Sequence, residues 1–384
     1  MNTNRTVESM MNNFASRTGL TDLSRPARRY LWTDAFAVCN FLGLYRQTKE
    51  EHYKNMALSL VDEVHSVLGR YHPMDSREGW ISGLDDAKSK EHPTIGGLRI
   101  GKPLMERAPD EPYDEKKEWD SDGQYFHYLT KWMHALSQTA NATNEVKYIL
   151  WAVELAKTAH SAFTYRTPGG SKRMVWKMST DLSRPLVTSM GQHDALDAYI
   201  TYMQLTATAS RFGEKADLFQ EIEEAAAMAK TTALLTDDPL GIGGLLSDAS
   251  RAAQLIAVYG VPLHELLISL LDAAQKGVER FVRSMTLQYP AEYRLAFREL
   301  GLSIGLHGVE IVAHLLDEHA DRFEQKEVMD ELRVRLQKQI VLTESIETFW
   351  MLPKHQQSPT WTEHIDINSV MLCTSLSPDG FLKI

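Results

Sequence analysis

A punctuation mark recurs along this chain. At roughly even intervals a polar, acidic or glycine-bearing knot opens directly into a long apolar helix, and a second, amphipathic helix follows. The knots are Trp32 to Asp34, Asp120 to Gln124, Ser189 to Asp194, Gly241 to Gly244 running on to Asp248, a weaker one from Arg298 to Gly301, and Trp361 to Asp366. A helical hairpin repeated in this way cannot bury its apolar face alone, so its neighbours must stack against it. Six hairpins in 384 residues predict an all-α fold, a closed (α/α)6 barrel spanning 1–384 as a single domain, with the knots gathered at one mouth.

The periodicity separates inner from outer helices. Over 50–69, apolar residues fall at Tyr53, Met56, Ala57, Leu60, Val61, Val64, Val67 and Leu68, a spacing of three and four that lines one helix face. Glu50, Glu51, Lys54, Asp62 and Glu63 occupy the other face, which predicts an outer helix. Segments near 145–163, 215–229, 263–284 and 324–341 read the same way. Segments near 32–46, 122–138, 192–207, 244–259, 294–316 and 363–376 carry far fewer charges, and a helix apolar on most of its circumference must be enclosed by others. No outer helix follows 376, so the segment near 5–18 is expected to supply the sixth.

Three stretches break the rhythm. Residues 70–120 hold Pro73, Pro93, Pro103, Pro109 and Pro112 with several glycines and no helical period. A loop that long is expected to cover the cavity mouth as a lid or wall, or to pack over one rim as an irregular insertion. The stretch 164–190, with Pro168, Gly169 and Gly170, predicts a hairpin or strand pair, and 344–359 reads as a further loop.

Charge and cysteine content narrow the partners. The formal net charge is -10 and no run of Lys or Arg forms a nucleic-acid stripe, so neither nucleic acid nor a membrane is expected as a partner. Cys39 and Cys373 each lie in an apolar run and read as buried thiols. The first twenty residues lack an apolar core after a basic start, and a cytoplasmic protein is expected.

With its alternating helices and its acidic or aromatic openings, the chain resembles the (α/α)6 toroids of the six-hairpin glycosidase-like superfamily. It is also similar in fold to the N-acylglucosamine 2-epimerases. The resemblance implies a sugar-like substrate in a cavity at one end of the barrel, with reacting groups on the loops and first turns of inner helices. The chain has no DxDD run and no CxxC pair.

The residues themselves offer the corresponding chemistry. Glycoside hydrolysis needs one carboxylic acid to protonate the leaving oxygen and a second carboxylate as base or nucleophile. Asp122, Asp194 and Glu363 are the first candidates, with Asp34 and Asp248 behind them, although an Asp at a helix start is most often a cap. Trp32, Trp119 and Trp361 sit beside opening carboxylates, where an indole face stacks on a sugar or plugs the ring. Asp120, His127, Gln192, His193 and His364 would read hydroxyls. Two histidines could instead interconvert sugar epimers by proton transfer, and a third reading is a helical scaffold with no chemistry.

No cofactor or metal is expected. His127 with His134, and His307 with His314, lie seven apart, two turns and too far for one ion, and HExxH is absent. Gly96 to Lys102 has a phosphate-loop flavour without matching a phosphate-binding motif, and Arg99 or Lys102 could touch an anionic group; a plain turn is the simpler reading. Gly241 to Gly244 either allows close backbone approach or breaks the chain before a helix.

Overall fold

The computed structural model describes residues 3–22 and 24–384. The chain divides into two compact units, one formed by 15–232 and the other by the residues up to Phe14 together with 233–384. The first helix, α1, runs over Thr3–Arg17.

The unit 15–232 contains three helical hairpins. They are α2 (Leu31–Thr48) with α3 (Glu51–Leu68), α6 (Phe126–Thr143) with α7 (Val146–Phe163), and α8 (Asp194–Arg211) with α9 (Phe219–Ala229); the short α4 (Asp86–Glu91) and α5 (Glu115–Asp120) lie between the first two. The partners of each hairpin pack together, α2 packs on α6, and α6 packs on α8. The burial follows the sequence pattern. In α2 every residue from Leu31 to Leu44 is buried, whereas α3 buries the stripe Tyr53, Ala57, Leu60, Val61, Val64 and Leu68, with His65 beside it. The tight reversals have a local cause. Lys49 after α2 and Asn144 after α6 both adopt the left-handed conformation, and each N–H donates to a carbonyl four residues back, which ends the helix at once.

The other unit repeats the scheme. Its helices are α10 (Pro239–Tyr259), α11 (His264–Arg283), α12 (Ala296–Glu318), α13 (Lys326–Gln337), α14 (Val341–Met351), α15 (Pro359–Thr362), α16 (Ile365–Leu376) and α17 (Asp379–Leu382). Here α10 packs on α12 and α12 on α16, while α11 and α13 are the outer partners. Cys373 Sγ on α16 lies 3.9 Å from the Val7 carbonyl, so α1 meets α16 at this point. Cys39 and Cys373 are both free, buried thiols. By length and composition α12 could cross a bilayer, but most of its apolar surface is buried as a core helix.

One expectation is corrected in this unit, and of the two readings of Gly241 to Gly244 the close backbone approach is the one seen, inside a helix. The stretch from Glu344 to Met351 is helical, because Thr343, Ile346 and Trp350 form a buried stripe at helical spacing. Gly241 to Gly244 lies inside α10, whose start is set by Pro239 in its first turn and by the Asp238 side chain accepting from Gly241 N at 2.9 Å. The glycines serve a crossing. A Cβ on Gly243 would collide with the Gly301 carbonyl, and one on Gly305 with the Gly243 backbone, so α10 and α12 touch backbone to backbone.

A small sheet and a buried loop complete the unit 15–232. Strand β1 (Gln124–Tyr125) leads into α6; β2 (Thr164–Arg166) and β3 (Lys172–Met174) form the expected hairpin; β4 (Lys177–Met178) pairs antiparallel with both β1 and β5 (Pro185–Val187). Residues 98–101 are threaded through the interior. Arg99 N donates to the Leu68 carbonyl at 3.0 Å, Ile100 N to Gly123 O at 2.8 Å, and Leu31 N to Ile100 O at 3.0 Å. Leu98 N donates to Gln124 Oε1 at 2.8 Å, so these N–H groups are spent inside the fold and cradle no phosphate.

Candidate active site

The site in the unit 15–232 is assembled where α6 begins. The β1–β4 pairing aligns Tyr125 with Lys177 and thereby delivers Trp176, whose carbonyl accepts from Phe126 N at 3.3 Å. Tyr125 then stacks on Trp176 with ring centroids 5.1 Å apart and 19° between planes, and His127 lies nearly parallel to Trp176 at 6.2 Å and 13°. From the first turn of α2, Trp32 stands edge-on to His127 at 5.9 Å and tilted against Tyr128 at 5.3 Å. The Tyr128 hydroxyl shares a 2.8 Å hydrogen bond with the Tyr30 hydroxyl. His127, Tyr128 and Lys131 follow one another up the first turns of α6, so one helix face carries ring, hydroxyl and ammonium.

Helix α8 brings two carboxylates to this group. Asp194, only 5% exposed, places Oδ1 3.9 Å from His127 Nδ1, and its Oδ2 has no hydrogen-bond partner. A side chain on Gly191 would collide with this carboxylate. Burial first, then the charge of Asp197, raise the Asp194 carboxyl from its ordinary 3.8 to about 7, against opposing effects of the Gly191 N–H and Lys131. Asp197, one turn on, is held by Lys131 Nζ at 2.7 and 2.8 Å and by the Thr130 hydroxyl. The two carboxylates thus have opposite surroundings: one is paired with a cation, the other is buried without one.

His127 is neutral in this setting. Burial, followed by the charge of Lys131, lowers it from 6.5 to about 3, and Trp176 Nε1 donates to Nδ1 at 3.3 Å. That hydrogen bond assigns the ring proton to Nε2, which makes Nε2 a donor. The Trp32 Nε1 is a second donor here, buried and without a partner.

Beside Tyr125 two lysines flank the same rings. Lys177 is fully buried and donates to the Glu118 carbonyl at 2.7 Å, to Glu118 Oε1 at 2.9 Å and to Ser121 O at 2.8 Å. Lys102 donates to the Trp119 carbonyl and lies 5.0 Å over the Trp119 ring; burial and then Lys177 lower it from 10.5 to about 8.

Of the residues singled out from sequence, Trp32, His127 and Asp194 come together, with His193 as the residue immediately before α8 and Gln192 exposed ahead of it. Trp119 is 54% exposed and tilts against Trp176 at 5.9 Å, with Asp120 exposed next to it. Asp122 and Asp34 are structural. Both Asp122 oxygens are taken, by Arg99 NH1 at 2.8 Å and Gly101 N at 3.0 Å. Asp34 accepts from Tyr30 N at 2.8 Å and lies 3.5 Å from Arg29 NH1, fastening the start of α2.

The remaining candidates belong to the unit containing 233–384. Asp248 is buried in an ion pair with Arg251, Trp361 is buried in a stack on Trp350 at 5.7 Å, and Glu363 and His364 are exposed. Sequence reasoning missed Tyr125, Tyr128, Lys131, Trp176 and Asp197. The signals were there for Asp197 and Lys131, which lie one turn after Asp194 and His127, but Trp176 reaches the site only through strand pairing.

Comparison with solved structures matches this arrangement at the level of fold. A GH76 alpha-mannanase of Bacteroides thetaiotaomicron superposes with a TM-score of 0.54 at 9% identity, covering 97% of this chain and 96% of its own. A cellobiose 2-epimerase of Spirochaeta thermophila DSM 6192 does so with a TM-score of 0.51 at 11% identity, covering 98% of each chain. No family model matches the sequence, and no curated protein matches it. The chain therefore shares its all-α (α/α)6 barrel fold with these two structures.

Proposed function

We propose that the protein is a carbohydrate-active enzyme, a glycoside hydrolase in which Asp194 is the general acid. The observation that carries this reading is the buried Asp194 carboxyl, raised to about 7, with Oδ2 unpartnered beside His127. A carboxylic acid still protonated near neutral pH can deliver a proton to a glycosidic oxygen as the bond to the anomeric carbon breaks, while a water adds to that carbon and gives up its proton, for which Asp197 is the second carboxylate at hand. The negative charge of Asp197, one turn away and bonded to Lys131, helps hold the proton on Asp194. The faces of Trp32, Trp176 and Tyr125 suit the C–H faces of a sugar, and Nε2 of His127 suits a hydroxyl oxygen. The fold shared with a mannanase and a sugar epimerase supports the substrate class.

An epimerase reading needs an imidazole as base. Burial lowers His127 to about 3, which makes it a far weaker base than free imidazole and favours hydrolysis. A scaffold would fill this region with apolar groups, whereas it holds two carboxylates, an imidazole and an ammonium.

The test is release of reducing ends from a panel of oligosaccharides, manno-oligosaccharides and cello-oligosaccharides included, by the wild type and by Asp194→Asn. Cleavage that disappears in the variant supports the proposal. Deuterium incorporation at C2 from D2O without cleavage would replace it with the epimerase reading.

A further inference from the structure

The unit containing 233–384 holds a cleft of its own, of about 320 Å³, where the segment between α11 and α12 folds over the start of α10. That volume lies at the lower end of the range for small-molecule sites, about 300–1,000 Å³. Its floor is a closed polar network. Arg294 donates to Glu299 through Nε at 2.9 Å and NH2 at 2.7 Å, and Trp350 Nε1 donates to the same carboxylate at 2.8 Å. These buried groups are satisfied and leave nothing for a ligand.

The walls differ. Arg298 shares its guanidinium with Asp238 at a partly open position. Arg280 and Asp237 line the cleft exposed, and neither side chain has a hydrogen-bond or ion-pair partner among the described residues. The hydroxyls of Ser284 and Thr286 bond each other at its edge. Tyr293 is 74% exposed at the mouth, so its aromatic face is open to a ligand in the cleft.

Counting Asp238, the positive charges of Arg280, Arg294 and Arg298 are matched by Asp237, Asp238 and Glu299, so the cleft does not select an anion. Open guanidinium donors, an open carboxylate acceptor and an open aromatic face together suit a neutral ring bearing several hydroxyls. We infer that this cleft is a saccharide-binding site, in which Tyr293 stacks on the ring and Arg280 and Asp237 read its hydroxyls. The inference rests on the carbohydrate reading for its ligand class, but not on the acid role of Asp194.

The experiment is calorimetric titration of Asp194→Asn protein, which cannot turn the ligand over, with D-mannose, D-glucose and cellobiose. The same titrations are run on the background carrying Tyr293→Ala or Arg280→Gln as well. At least one saccharide should bind, and affinity should fall tenfold or more with either added change, both side chains being exposed enough to replace without unfolding. No binding in the Asp194→Asn protein, or undiminished binding in both doubles, would overturn the inference. Inorganic phosphate binding more tightly than any saccharide, and being lost with Arg280→Gln, would overturn it in favour of an anion site. Catalysis that proves absent in the wild type while Tyr293-dependent sugar binding persists would remove the hydrolase proposal and leave this one standing.

Discussion

Two openings in the same unit, the one before α6 and the one before α8, each present a buried aspartate, and their fates are opposite. Asp122 meets a guanidinium and a backbone N–H, so both oxygens are satisfied and its work is to fasten residues 99–101 to the start of α6. Asp194 meets a glycine, an imidazole at 3.9 Å and a second carboxylate, and no cation reaches it directly. The lesson is that position at a helix start does not assign a carboxylate its role. The partner that arrives from elsewhere in the chain does.

The comparison breaks most visibly through Asp194. We predict that Asp194→Asn lowers kcat/KM on a cleavable oligosaccharide by about 10²- to 10⁴-fold, the usual share of a general acid, with an unchanged circular dichroism spectrum. Residual activity within threefold of wild type would exclude the assignment.

The converse change falls on stability. Removing the Asp122 carboxylate leaves Arg99 buried and unpaired, so Asp122→Ala is predicted to cost about 3–5 kcal/mol in denaturant unfolding. Activity per folded molecule should be far better preserved than in Asp194→Asn. A loss below 1 kcal/mol would show that the pair is not structural.

The pH dependence sharpens the contrast. Asp194 is raised from 3.8 to about 7, so between these values the folded state holds a proton that the unfolded chain has released. Its contribution is fully present below about 3.8 and is lost as pH rises through about 7. Relative to Asp194→Asn, the wild type should therefore lose stability at up to about 1.4 kcal/mol per pH unit across that window. A flat difference between the two proteins from pH 4 to 7 would refute the shift. Activity that depends on the protonated form should decline on the alkaline side of about 7.

The smallest effect is expected at Trp32, whose indole N–H is buried without a partner. Trp32→Phe keeps an aromatic ring but removes the donor together with part of the buried indole, so folding is expected to lose about 1 kcal/mol. A rise in KM would show that the donor meets the substrate, and an unchanged KM would place it outside the bound state.

Much of the architecture was legible in the sequence because helical periodicity is local. The outer stripe from Tyr53 to Leu68 and the enclosed run from Leu31 to Leu44 are both plain in the residue order. Even α14, in a stretch expected to be a loop, carries its stripe openly at Thr343, Ile346 and Trp350. The site was legible only in part. His127 and Asp194 stand at helix openings and could be singled out, but nothing local tells Asp122 from Asp194. Arg99, which decides the matter, lies 23 residues earlier in an irregular segment, and Trp176 arrives through a two-residue strand too short to announce itself.

Residues 98–101 have a practical meaning for anyone wishing to rebuild this molecule. A long connection between helices is ordinarily where a chain tolerates cutting, tagging or permutation. Here the connection is stitched to Leu31 at the start of α2, to Leu68 at the end of α3 and to Gly123 ahead of α6, so a splice within it would release two hairpins together. The tip of the β2–β3 hairpin offers the opposite condition. At Gly170 a side-chain carbon would meet no atom within 4 Å, and foreign sequence belongs there.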